Sequence, residues 1–202
     1  MRTCAHTAIL SLALLAGSVV AQQPAPASTR LHGTVEKADA TSLVIKERDG
    51  REISLLYAGD VRVSEVEPID PSAIQEGSFI GTTAVPGPDG KLSAVEVHVF
   101  PESARGTGEG HRPMDILPGA TMTNATVAGL TKNANERTLV LRYKDGEQTV
   151  RVPNGVPVVL QKAGDRSLLV SGAKVTVIEE MRDGKAVATR IQVGSKGFTP
   201  PT

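Results

Sequence analysis

The sequence predicts an all-β protein of two similar small barrels in tandem, and three observations carry that expectation. The first is internal repetition. "LVIKERDGREISL" (residues 43–55) is echoed by "LVLRYKDGEQTVRV" (139–152), "DPSAIQEG" (70–77) by "DRSLLVSG" (165–172), and "DGKLSAVEVHV" (89–99) by "DGKAVATRIQV" (183–193). The offsets are 139 − 43 = 96, 165 − 70 = 95 and 183 − 89 = 94, a slow drift that marks duplication with small insertions and deletions. The second observation is Asp-Gly at 49–50, 89–90, 145–146 and 183–184, each between β-branched or alternating runs. Asp-Gly suits a tight hairpin because both residues tolerate positive φ. The third is period-two patterning, the mark of half-buried antiparallel strands.

The strands follow in order. Ile53, Leu55 and Tyr57 share one strand face, and Val95, Val97 and Val99 alternate with Glu96 and His98, which are expected on the solvent side. In the second copy Leu139, Leu141 and Tyr143 alternate with Val140 and Arg142, as do Thr189, Ile191 and Val193 with Arg190 and Gln192. Asp70 and Asp165 each open a short helical turn as N-caps, with Pro71 at the first helical position and Gly77 and Gly172 ending the turn. Five or six strands in about 70 residues, with a helical turn before the last two, fit a small Greek-key barrel of the OB-like kind. The expected organisation is a first OB-like domain at 30–100, a Gly/Pro-rich linker at 101–120, a second domain at 121–195 and a frayed tail at 196–202. Units so small are marginal alone, so the two are expected to touch.

The Gly33-x-Val35 opening, the Asp-Gly hairpin, the mid-unit Gly77 followed by aliphatic residues and the closing Asp89-Gly-Lys-x-x-Ala94 strand resemble a family of exported bacterial β-domains. That family has an OB-like barrel and no assigned function. The resemblance covers both repeats and implies a fold and an export route; it carries no catalytic residues.

Residues 1–21 read as a secretory signal: Arg2 before the apolar run 8–20, then Val19-Val20-Ala21 for cleavage. A Pro/Ala-rich tether, 22–29, follows, and the expected location is periplasmic or secreted. The sole cysteine, Cys4, leaves with the signal, which excludes thiol catalysis, thiolate zinc and iron–sulfur chemistry from the mature chain. Charge is balanced, 22 Lys+Arg against 22 Asp+Glu, and aromatic residues are 2% with no Trp. Neither favours nucleic acid, which needs a basic field or stacking platforms. No apolar run has membrane-spanning length.

Motifs for chemistry are few. The glycines of "ARGTGEGHRPMD" (104–115) miss both the dinucleotide and the Walker spacings, and no G-x-S-x-G elbow occurs. Two sets of candidate ligands remain. Arg105, His111 and Arg112 offer charge and flexible amides to a small anion. His98, Glu102, Glu109, His111 and Asp115 are the residue types that bind Zn²⁺ or Cu²⁺. The expected function is a non-enzymatic binding or interaction module of the bacterial envelope with a protein partner; the alternative is a periplasmic metal or small-anion binder using the linker.

Overall fold

The computed structural model describes residues 28–114 and 116–201. The signal peptide reading (1–21), most of the tether (22–27) and Asp115 lie outside them. The fold is all-β: β1 (Ser28–Ala38), β2 (Ser42–Glu47), β3 (Glu52–Pro68), β4 (Phe79–Pro86), β5 (Leu92–Val99), β6 (Gly110–Pro113), β7 (Thr121–Lys132), β8 (Glu136–Tyr143), β9 (Gly146–Pro153), β10 (Val158–Gly164), β11 (Lys174–Arg182) and β12 (Lys185–Gly194). The expected helical turns are 3-10 turns at Pro71–Ala73 and Arg166–Leu168, capped as anticipated: Ser72 N donates to Asp70 Oδ1 and Ser167 N to Asp165 Oδ1, both at 2.7 Å.

β1, β2, β3, β12 and β11 close into a five-stranded barrel. β12 runs parallel to β3, and the other neighbours run antiparallel. β4, β5, β9, β8 and β7 form a second ring of pairings in the same order, with β5 and β9 parallel. Bulges sit at corresponding places: Glu36 and Ala128 on the first strands of the two repeats, Val95 and Thr189 on the last.

This pairing corrects the expected boundaries. Neither 30–100 nor 121–195 closes on itself; each ring takes a three-strand meander from one repeat and the turn-plus-hairpin from the other. The cores follow the exchange. Leu31, Leu43, Ile45 and Leu55 pack against Leu169, Val175, Val177 and Ile191, whereas Leu139, Leu141, Val150 and Val152 pack against Ile74, Ile80 and Val97. The cause lies in β3, whose 17 residues run on along β12 of the first barrel and, at Val63–Pro68, also pair with β10 on their other edge. That ladder with β10 is antiparallel and sets Val66 opposite Gln161, 95 positions later.

Three further expectations change. The linker is folded: β6 pairs antiparallel with β7, from Gly110↔Asn124 to Pro113↔Thr121. The tail is not frayed as far as Pro201, for Phe198–Pro200 returns against Gly194 and Pro200 is buried. Ordered strand also starts at Ser28, two residues inside the tether.

Candidate functional site

The residues proposed for anion capture are already engaged. Arg105 donates to both carboxylate oxygens of Glu102 (2.5 and 2.7 Å) and to Gly77 O (2.9 Å), and its guanidinium lies over the Phe79 ring. Arg112 Nη1 donates to Gly108 O at 3.0 Å. His111 bonds through Nδ1 to the buried Thr123 hydroxyl (2.8 Å) and stacks on Tyr143 with ring centroids 6.4 Å apart. These contacts fasten β6 over one end of the second ring.

The metal candidates are not brought together. Glu102 pairs with Arg105, Glu109 Oε1 accepts from Lys144 N (3.1 Å), and His111 is held by Thr123. Among the described residues, no group of three or more His, Cys, Asp or Glu is placed to hold a metal ion.

His98 and Glu96 lie elsewhere and are buried, 5% and 1% exposed, where alternation placed them in solvent. The bulge at Val95 puts Ala94 and Val97 into the second core, and the opposite face of β5 is covered at the joint between the rings. There Thr83 Oγ1 donates to Glu96 Oε1 (2.8 Å), and His98 Nδ1 donates to Gln161 Oε1 (3.0 Å). Gln161 Nε2 donates to Ser64 Oγ (3.3 Å), and His98 Nε2 stands 3.4 Å from Glu96 Oε1. Burial pushes the Glu96 carboxyl up, but the adjacent His98 ring, the hydrogen bond from Thr83 and the charge of Arg30 outweigh it and hold the group below the ordinary range. This polar seam joins four strands, β3, β4, β5 and β10. Sequence reasoning found its His and Glu and missed Ser64, Thr83 and Gln161, whose partners are 97, 13 and 63 positions away, beyond any local pattern.

An open cleft lies beside β1 on the first barrel. It has a volume of about 480 Å³ and is lined by Arg30, His32, Glu47, Arg48, Asp49, Arg51, Pro200 and Pro201. β1 supplies Arg30 and His32 because its outer face alternates with the core residues Leu31 and Val35. The β2–β3 hairpin supplies residues 47–51. Arg51 is neutralised by Glu47 (2.7 Å) and Asp49 (2.6 Å). Among the described residues Arg48 has no ion-pair partner, and Arg30 Nε is buried without a hydrogen bond. The surplus is therefore cationic. Its field is felt by His32: burial, then Arg30 and Arg48, pull its pKa below the usual value against the opposing pull of Glu47 and Glu96. A buried guanidinium donor beside an open channel suits a carboxylate or phosphate oxygen. Among the sequence candidates, none lines this cleft.

No family model, curated protein or solved structure matches the chain.

Proposed function

We propose that the protein is an exported, non-enzymatic binding module of the bacterial envelope, built as two OB-like barrels that share strands, and that it engages a partner through the cleft beside β1. The observation that carries this reading is Arg30 and Arg48 together in an open cleft, neither in a salt bridge among the described residues, with Arg30 Nε buried and lacking a hydrogen-bond acceptor. A guanidinium is left in that state at a cost in desolvation, and an anionic partner removes the cost. The matching strand order of the rings, with a helical turn plugging each before its hairpin, supports the OB-like description. The secretory character of residues 1–21 supports export to the periplasm or beyond. The linker reading loses ground to the cleft, because Arg105, His111 and Arg112 spend their donors on the protein itself.

Photo-crosslinking in cells tests this. A photoreactive residue at Asp49, on the cleft rim, should give discrete adducts in the envelope fraction. Those adducts should vanish when Arg30 and Arg48 are both changed to Glu while the protein stays folded by circular dichroism. Adducts indifferent to the charge reversal, or their absence, would overturn the assignment.

A further inference from the structure

The cleft has a counterpart on the second ring, and there it is filled. Across their ladders Arg30 and His32 face Ile178 and Thr176, whereas Met122 and Asn124 face Thr83 and Gly81, each 95 positions earlier. Met122 and Asn124 therefore occupy on β7 the places of Arg30 and His32 on β1. In the same way Tyr143 and Lys144 correspond to Glu47 and Arg48, 96 positions before them. In the second ring this space holds β6. It is seated by backbone pairing with β7, by His111 on Tyr143, and by the Glu109 carboxylate on the Lys144 amide. In the first ring, among the described residues, β1 pairs with β11 along 28–34 but meets β2 only from Gly33, so the other edge of Ser28–His32 has no strand beside it. By the spacing between Ala125 and Gly33, the first repeat's counterpart of β6 falls at residues 18–21, at the end of the apolar run.

We infer that the edge of β1 at Ser28–His32 is a strand-acceptor site, which takes an extended acidic segment of a partner protein in the position that β6 occupies on the second ring. The inference rests on the binding-module reading above and names the partner's form. Strand addition supplies main-chain hydrogen bonds, and alternate side chains supply selectivity. The register of β6 fixes what those side chains are. The residue in the place of Glu109 reaches the Arg48 amide and side chain, so it is acidic. The residue in the place of His111 lies over Leu31 at the mouth of the barrel, so it is apolar. The residue in the place of Arg112 stands opposite Arg30 across the strands, so it too is acidic. The recognised pattern is acidic, any residue, apolar, acidic.

A fluorescent octapeptide with glutamate at the first and fourth places of this pattern and isoleucine at the third tests it by anisotropy against the exported, processed protein. Saturable binding is expected, weakened about tenfold or more, a change of at least 1.4 kcal/mol, when the two glutamates become lysines. Methylating the backbone nitrogens should abolish binding with the charges intact. Arg30→Glu with Arg48→Glu should reverse the preference toward the lysine peptide, a gain that misfolding cannot produce. Equal binding of the N-methylated peptide, or of succinate at the same concentration, would reduce the site to a carboxylate pocket and overturn strand addition. Crosslinks at Asp49 without peptide binding would leave the module reading standing and remove this one. A concentration-dependent dimer in light scattering that blocks the peptide would assign the edge to a second copy instead, and overturn it equally.

Discussion

At the scale of single residues, Gly33 and Glu96 show how much a position depends on its neighbours. A Cβ built on Gly33 falls 2.8 Å from the carbonyl oxygen of Lys46 on the paired strand. Gly33→Ala should therefore destabilise the protein by about 1–3 kcal/mol, read from urea unfolding, since backbone cannot move aside as a side chain can. The register gives Ala125 as its partner on β7, so the restriction belongs to the first barrel alone. Glu96 makes stability depend on acid. Its carboxyl is held below the ordinary value, so it contributes stability that is complete above about pH 4.3 and drains away as pH falls through the lower folded value. The thermal midpoint should drop across that window, and Glu96→Gln should flatten the drop; an unchanged profile would refute the assignment. The Asp-Gly pairs mark hairpins at all four sites. Only Asp183-Gly184 is the two-residue loop with both φ positive, 51° and 73°, because the other loops are longer or, at Lys144-Asp145, shifted by one.

At the scale of elements, strands, turns and caps were legible because they rest on local chemistry: alternation, β-branching, and an Asp side chain two residues from an amide. β6 was not. Four residues among glycines and prolines show no period, and their strand character comes from the β7 edge that they pair with. The polar face of β5 was misassigned for a similar reason, since alternation says which side chains share a face and not what covers that face. The helical turns bear on both rings. Leu169, beside the turn of the second repeat, is buried in the core of the first barrel among Leu31, Leu43 and Ile191. Leu169→Ala should cost about 2–5 kcal/mol, the range for a buried leucine whose surroundings collapse only partly. The loss should appear as a lowered melting temperature, reported alike by Tyr57 in the first barrel and Tyr143 in the second ring.

At the scale of the whole molecule, shared strands make the rings interdependent. Removing either repeat's hairpin opens the other repeat's ring, so unfolding should be one cooperative transition. Two variants, Tyr143→Phe and Tyr57→Phe, each leave a single tyrosine as a fluorescent reporter, in the first barrel and the second ring respectively. Their urea midpoints should coincide; separated midpoints would mean that each ring stands alone. Exchange of like elements is a low-cost rearrangement, because hairpins from either repeat offer the same hydrogen bonds and nearly the same apolar face. That is why the sequence by itself determined the all-β class, the caps and the turns, all of which are properties of neighbouring residues. Tertiary structure alone decided which hairpin completes which ring. It also decided that Glu96 and His98 are sealed in the joint, and that the cationic cleft opens beside β1. Those outcomes turn on where the long β3 strand carries the chain, and on contacts between residues tens of positions apart, which no local periodicity records.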